Sequence, residues 1–438
     1  MSHEKIRPRL LDIDDAVPRK RKDYEEFVSS TADIFSIAMV GNYDDFSAER
    51  CGFAAKFTHQ IFETDKIYGY KNLSVLIMFA LGDFQVFPRI TASKVVPEDM
   101  GKPDDIRGQF EKFMELPVCH SEAEFRQVLA KQSAFRPFGR RVAEYEKRSG
   151  TLVQTFEVYN VTEMSPAFAD YIRRVQFAAM FFIESLNYTP STDKRWEYYI
   201  LYEKFNKSGE ICYATLGYCA IYNFYMFPEY LKPRIAQFMI MPQYQLCSHG
   251  KRLLQEVLLQ IASKKSVWFS TVECPNAAFQ YIHDFVEASN CSYLASYAPD
   301  RLRNGFSDEM KEEAFSVFKM NKERAKRAYE ILRLVDIKRG DRDEYNRFTK
   351  ELKKGIYAKL RCKTLDRVSD GELCRPSDEE GSGSEEEVDQ PADERSIVKA
   401  KYCELLRGYL CVVAQLKRNE RPLPAPWVLK TKQNGNAS

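Results

Sequence analysis

The pattern of apolar and polar positions changes character along the chain. Phe35–Val40 and Leu73–Leu81 are apolar runs rich in β-formers and predict strands. Asp105–Met114 and Glu122–Lys131 repeat apolar residues at helical spacing. From about Gln154 to Val286 the alternation becomes denser. Phe156–Val161 predicts a strand. Ser165–Leu186 predicts a long helix, with Phe168, Ile172, Val175, Ala179, Phe182 and Ile183 on one stripe. Trp196–Tyr202 and Ile211–Phe227 predict two strands joined by a turn at Asn206-Lys207-Ser208-Gly209. Arg234–Met241 then reads as a strand, Pro242–His249 as a loop, Gly250–Ala262 as a helix, Val267–Glu273 as a strand and Asn276–Glu287 as a helix. The resulting order is β, α, β-hairpin, β, α, β, α. Asp308–Lys363 reads as charged helices, and Ile397–Gln415 as one more helix.

Charge refines this division. Pro18–Lys22 is a compact basic run, either a solvated face or a nuclear import signal. Lys319–Lys363 carries 16 basic and 7 acidic residues, either a solvated helical bundle or a docking surface for an acidic partner. Asp378–Glu394 has nine acidic residues, no basic ones and a Gly/Ser run, the composition of a disordered linker. The expected organisation is a basic arm (1–22), a mixed α/β domain (23–138), a catalytic domain (139–290), a helical domain (291–370), and an acidic linker and tail without much structure (371–438).

The whole-chain balance excludes several classes. With 438 residues, 44% apolar and 29% charged, the chain can bury a sizeable core and is neither collagen-like nor wholly disordered. A net charge of +2 excludes a strongly basic nucleic-acid binder, and direct DNA binding is not expected. The apolar runs Val75–Leu81 and Phe177–Ile183 fall far short of the roughly 20 residues that span a bilayer, so no membrane partner is expected. Met1–Asp14 lacks the apolar segment of a secretory signal, so the 11 cysteines are expected to be reduced, in nucleus or cytoplasm. None of them has zinc-type spacing, and no metal is expected.

The chemistry concentrates in Pro233–Gly250, where a buried strand ends, a polar loop turns and a helix begins. Unpaired N–H groups at a helix start carry about half a positive charge and suit phosphate. Gln245-x-x-Ser248-x-Gly250 resembles the Gln/Arg-x-x-Gly-x-Gly/Ala loop with which the GNAT superfamily cradles the coenzyme A pyrophosphate. Beyond the superfamily, the chain resembles the catalytic subunit of type B histone acetyltransferases. FTHQIF (Phe57–Phe62), YGYK (Tyr68–Lys71), ASKV (Ala92–Val95), RPFG (Arg136–Gly139), FFIE (Phe181–Glu184) and RWEYY (Arg195–Tyr199) carry that resemblance. GYCAIYNFY (Gly217–Tyr225), PRIAQFMI (Pro233–Ile240), HGKRLL (His249–Leu254), VECP (Val272–Pro275) and YEILRL (Tyr329–Leu334) extend it, so that it covers about Asp23–Leu360.

The resemblance implies an α+β protein: a central GNAT acetyltransferase fold, a mixed β-sheet flanked by helices, with a small mixed N-terminal domain and a C-terminal helical part. It implies transfer of acetyl from acetyl-CoA to tail lysines of newly made histone H4, with histone H3 alongside. It also implies a WD-repeat histone chaperone as partner. Phe238, Met239 and Ile240 would bind the pantetheine arm through strand backbone. Gln245, Leu246, Cys247, Ser248, His249, Gly250 and Lys251 would hold the pyrophosphate. Glu273 matches the general base and Glu184 a second carboxylate. Trp196 and Tyr222 match histone-contacting positions. Glu63 and Asp65, in an acidic loop of different length, match more loosely.

A base is needed because lysine, with pKa ~10.4, is neutral in only about one molecule in 2,500 at pH 7, a deficit of ~4.6 kcal/mol. A carboxylate at the end of a strand can take the proton as nitrogen attacks the thioester. Direct transfer is expected over an acetyl-cysteine intermediate on Cys247 or Cys274, because an ordinary thiol of pKa ~8.5 is only a few per cent thiolate near pH 7. Two positions depart from the family pattern. Ser248 replaces the first loop glycine, and if that position needs positive φ the penalty is ~1–2 kcal/mol. Cys274 replaces an acid after the base, which leaves Glu273 more of the proton work. These departures keep open a catalytically weakened histone-binding scaffold, or an acetyltransferase acting on another basic protein.

Overall fold

The computed structural model describes residues 25–42, 52–371 and 394–418. The basic run Pro18–Lys22 and the acidic stretch 378–393 lie outside the described residues. In chain order the elements begin with β1 (Val28–Ser30), a single-turn α1 (Thr31–Ile34), β2 (Phe35–Val40), β3 (Phe53–Ala54), β4 (Lys66–Tyr68), β5 (Tyr70–Lys71), β6 (Ser74–Ala80), β7 (Val86–Thr91) and β8 (Lys94–Val95). Two helices follow, α2 (Ile106–Met114) and α3 (Glu122–Ala130), then β9 (Arg140–Ser149), β10 (Leu152–Val161), α4 (Pro166–Met180), β11 (Trp196–Lys207), β12 (Glu210–Met226) and β13 (Tyr230–Ile240). The chain continues through α5 (His249–Ser263), β14 (Thr271–Val272), α6 (Ala277–Cys291), α7 (Pro299–Leu302), α8 (Asp308–Phe318), α9 (Lys322–Asp336), α10 (Arg342–Gly371) and α11 (Glu394–Lys417). The protein is α+β, as expected.

Contacts divide the chain into two compact units, residues 1–221 with 237–246, and residues 222–236 with 247–438. In the first unit a four-stranded sheet has the order β3-β2-β6-β7, with β2 and β6 parallel. Strands β9, β10 and β11 form an antiparallel meander in which Val158 faces Ala143 on one side and Leu201 on the other. One apolar core runs through this unit, from Ile34, Phe79 and Phe110 to Val175, Phe177, Ile200 and Met241. Aromatic rings dominate it: Phe35 stacks on Phe62 at 5.2 Å, and Phe110 meets Phe177 edge-on at 5.4 Å. Such pairs add ~0.5–1.5 kcal/mol each beyond their area.

In the second unit β13 and β14 run parallel, with Arg234 opposite Thr271 and Ile235 opposite Val272. The helices α6, α9 and α11 pack on one another. Between α6 and α9 lies a buried ionic cluster. Arg327 is bidentate to Asp284, at 2.6 and 2.7 Å, and the Arg324 Nε donates to Glu287 at 2.6 Å. Burial pushes the Glu287 carboxyl up, but Arg324 and then His283 outweigh it and bring it down to about 2. Burial holds His283 below its usual value.

The structure corrects four sequence expectations. The helix read as Ser165–Leu186 ends at Met180, because the Phe181 carbonyl accepts the Lys56 and Phe57 amides, at 2.8 and 3.2 Å, in place of a next helical turn. The strand read as Val267–Glu273 shrinks to Thr271–Val272 plus one bridge, Val267 to Leu231, with the Trp268 amide on Leu231 O; between them the Ser270 amide turns to Lys319 O instead of β13. Strand β9 was not expected; its charged sequence, Arg140-Arg141-Val142-Ala143-Glu144, hides the alternation that an edge strand needs. Finally, within the tail expected to have little structure, the helix read as Ile397–Gln415 is present and longer, as α11, which buries Tyr409, Val412, Val413 and Leu416.

Candidate active site

The expected cofactor strand is β13. Along it Pro233, Ile235, Gln237 and Met239 are buried while Lys232, Arg234, Ala236 and Phe238 are less so, the period-2 alternation of a strand with one covered face. The ladder to β14 has two pairs and closes with the Glu273 amide donating to Ile235 O at 2.9 Å. The strand itself runs five residues further, through Phe238, Met239 and Ile240. It lies so close to β12 that a Cβ on Gly217 would sit 2.3 Å from the Met239 carbonyl oxygen, which explains the glycine.

After Ile240 the chain makes one 3₁₀ turn (Pro242–Tyr244) and reaches the loop expected to hold pyrophosphate. Gln245 folds back, its Nε2 donating to Ile240 O at 2.8 Å. Leu246 and Ser248 both adopt left-handed backbone, φ 59° and 66°. The structure therefore meets the condition attached to Ser248: this position does require positive φ, and a residue with a Cβ bears the cost. Leu246, Cys247 and Ser248 are exposed, His249 is buried and Gly250 half-buried. Helix α5 starts at His249, its first regular bond running from the Arg252 amide to Ser248 O at 3.2 Å.

Ser248 occupies the N-cap but its side chain makes no cap bond. At six other helices, α2, α3, α4, α6, α8 and α9, an Asp, Ser or Asn side chain accepts an amide of the first turn. The dipole of the 15-residue α5 thus faces the loop without a capping oxygen from its own N-cap, an arrangement that fits a bound anion.

Glu273 stands directly after β14, at the end of the shorter turn. It is exposed, its amide is held by Ile235 O, and the next residue, Cys274, is left-handed at φ 37°. Two residues later Asn276 caps α6, its Oδ1 accepting the Phe279 amide at 2.9 Å. The carboxylate is therefore presented from a turn stiffened on both sides. Where they pair, β13 and β14 run parallel, so Glu273 stands at the carboxyl end of a parallel strand.

Glu184 lies four residues past the end of α4, exposed, beside the left-handed Ser185 (φ 58°). It is a loop carboxylate, not a helix-surface one. Trp196 opens β11 and packs, half-buried, on the main core. Tyr222 is half-buried near the end of β12, its ring edge-on to Phe224 at 4.7 Å, and Arg234 covers the Phe224 ring at 4.5 Å. Glu63 is exposed. Asp65 turns its carboxylate toward Thr31 and Thr58, each 3.4 Å away, and its carbonyl accepts the Thr31 amide at 3.0 Å, so it ties the loop down. Among the described residues no group of three or more His, Cys, Asp or Glu could hold a metal ion, and no helix is long and apolar enough to cross a membrane.

Two family models match the chain: the N-terminus of histone acetyl transferase HAT1 over residues 27–184, and the C-terminal part of histone acetyltransferase type B catalytic subunits over residues 283–334. Both matched segments are those of type B histone acetyltransferase catalytic subunits, the proteins this chain is similar to. Similarity to curated members extends beyond the two matched segments. The mouse type B catalytic subunit is 29% identical over 412 residues, 93% of this chain and 98% of that protein. The human one is 28% identical over 93% and 97%. A crystal structure of an aminoglycoside acetyltransferase with sisomicin overlaps 30% of this chain and 86% of its own, at 17% identity and TM-score 0.22, too slight a likeness to bear on the fold. Together these similarities support an acetyltransferase that acts on histones.

One set of residues near the site carried no motif and was not singled out from the sequence. Gln237 and Gln176 are buried amides joined to each other at 2.9 Å. The available signal was a glutamine in the buried register of β13, where the alternation calls for an apolar residue.

Proposed function

We propose that the protein acetylates N-terminal tail lysines of free, newly synthesised histone H4 by direct transfer within a ternary complex, with Glu273 as general base. Acetyl-CoA supplies the thioester carbonyl. Backbone of Phe238–Ile240 would carry its pantetheine arm, and the uncapped start of α5, with the loop Gln245–Lys251, its pyrophosphate. The observation that carries the reading is the placement of Glu273: an exposed carboxylate on a turn pinned by Ile235 O and the Asn276 cap, at the carboxyl end of a parallel strand. A fixed carboxylate can take the ~4.6 kcal/mol lysine proton at the moment of attack rather than before it. Trp196, Tyr222, Glu63 and Glu184 supply aromatic and acidic groups suited to a basic tail. By the same family reading a WD-repeat histone chaperone presents the histone, with histone H3 bound beside H4, and the protein works in nucleus and cytoplasm.

The left-handed Ser248 favours a second reading in one respect, weaker acetyl-CoA binding. The cost of ~1–2 kcal/mol lowers affinity by roughly five- to thirtyfold and does not abolish it. Acetyl transfer to a histone H4 N-terminal peptide, compared between wild type and Glu273→Gln, tests the proposal. Wild-type turnover that falls about tenfold or more in the variant supports it. Turnover untouched by the substitution moves the base elsewhere. An inactive wild type that still binds peptide and acetyl-CoA makes the scaffold reading the correct one.

A further inference from the structure

The loop Phe181–Thr189, which carries Glu184, is held neither by a helix nor by a strand ladder. Its carbonyls are taken one by one. Phe181 O accepts the Lys56 and Phe57 amides, Leu186 O accepts the Gln60 Nε2 at 3.0 Å, and Asn187 O accepts the Gln237 Nε2 at 2.8 Å. The last bond comes from β13, from the residue directly before Phe238. Gln237 spends its oxygen as well: Oε1 accepts Gln176 Nε2 at 2.9 Å and Tyr218 Oη at 3.0 Å. Gln176, on α4, also donates to Thr189 Oγ1 at 2.9 Å, and Tyr198 Oη reaches the same hydroxyl at 2.8 Å. A buried, mutually satisfied network thus joins α4, β11, β12, β13 and the acid-bearing loop within the first unit.

We propose that Gln237 is a positioning residue that locks the Glu184 loop to the acetyl-CoA strand, so that the acceptor side of the site is set from the cofactor side. The inference rests on the reading that Phe238–Ile240 hold acetyl-CoA and that Glu184 serves the acceptor. The division of effects follows from how each piece is held. The strand keeps its backbone bonds to β12, such as Met241 N–H to Leu216 O at 2.8 Å, whatever residue stands at 237. Past Glu184 the loop's carbonyls at Leu186 and Asn187 are held by side-chain donors, Gln60 and Gln237, and the left-handed Ser185 stands between them and Glu184. Loss of the Gln237 amide frees the loop and leaves the strand in place.

The test uses the full chain, with acetyl-CoA affinity measured by calorimetry and steady-state kinetics measured with a histone H4 N-terminal peptide. Gln237→Met, of similar length and without donors, is compared with Glu184→Gln and with the double variant. The expected result is an acetyl-CoA Kd within about twofold of wild type and a peptide kcat/KM reduced about tenfold or more, as a displaced positioning group gives. Glu184→Gln should cost less in the Gln237→Met background than alone, because both act through one group. Equal losses in acetyl-CoA affinity and peptide turnover, or full additivity of the two substitutions, overturn the proposal. An impaired Glu184→Gln beside a silent Gln237→Met also overturns it while sparing the reading beneath. A silent Glu184→Gln with acetyl-CoA bound overturns that reading and the proposal with it. If Gln237→Met fails to fold, Gln237→Asn replaces it with the same expectations, since its amide stays neutral but is one methylene too short to hold both the Asn187 carbonyl and the Gln176–Tyr218 pair.

Discussion

The two strand-to-helix turns of the second half of the chain differ in one respect that separates their jobs. The turn between β13 and α5 has a serine at the N-cap that does not cap, while the turn between β14 and α6 has an asparagine that does. Both contain a left-handed residue bearing a Cβ, Ser248 and Cys274, and both helices are 15 residues long. The first turn has no cap bond from the side chain at its N-cap, Ser248. The second uses up its own donors and holds one carboxylate, Glu273, in a set place. The helices also bury different faces. α5 covers Leu253, Leu254, Val257, Leu258 and Ile261, whereas α6 buries His283, Asp284 and Glu287 against arginines. On the proposed reading, the turn offered to the ligand leads into a helix that buries mainly aliphatic residues, and the turn that carries Glu273 leads into one whose buried face includes an ionic cluster.

Six substitutions would break or sharpen this contrast. The largest effect is expected from Arg324→Met, which leaves Glu287 buried without its guanidinium and should cost about 3–5 kcal/mol in thermal or denaturant unfolding. The same anchor sets an acid limit. The Glu287 carboxyl is lowered to about 2 in the folded protein, so its stabilisation is complete above about pH 4.5 and is lost as pH falls toward 2. His283, held below its usual value, acts in the same direction. Unfolding followed from pH 7 to pH 3 should therefore show stability falling with acid, and less steeply in Glu287→Gln. Next comes Glu273→Gln, expected to lower acetyl transfer about tenfold or more with stability and acetyl-CoA affinity unchanged. Asn276→Ala removes the α6 cap and should cost ~1 kcal/mol of stability, with a measurable loss of turnover as the base loosens. Ser248→Ala, by contrast, removes no cap bond and should be nearly silent in unfolding. Ser248→Gly acts in the opposite direction. It relieves the left-handed penalty of ~1–2 kcal/mol but gives back about half through the freer unfolded chain, so stability and acetyl-CoA affinity should rise by less than about 1 kcal/mol. A tighter Ser248→Gly and a weaker Asn276→Ala together would establish the contrast; the reverse pattern would dissolve it.

Much of the element order was legible because period carries it. The alternation in Trp196–Tyr202 and Ile211–Phe227, the loop at Pro242–His249 and the stripe of α4 all appear where expected, within a few residues. Chain-local chemistry was legible too: Ser248 as a position of positive φ, and Glu273 as a strand-end carboxylate. What the linear order left open depends on partners far away in sequence. Helix α4 stops at Met180 because amides from residues 56 and 57 claim the Phe181 carbonyl. Strand β9 forms despite its charges because β10 offers a ladder. Asp65, chosen for an acidic surface, turns to two threonines, one of them 34 residues upstream. Gln237 and Gln176 carry no motif, since a hydrogen bond spanning 61 positions leaves no periodic trace. Local propensity, period and φ preference belong to the residue and its immediate neighbours, and the sequence by itself determined those. Where a helix ends, which carboxylate is free and which amide pins a loop are settled by competition for donors and acceptors in the folded core, and only the tertiary structure decides that.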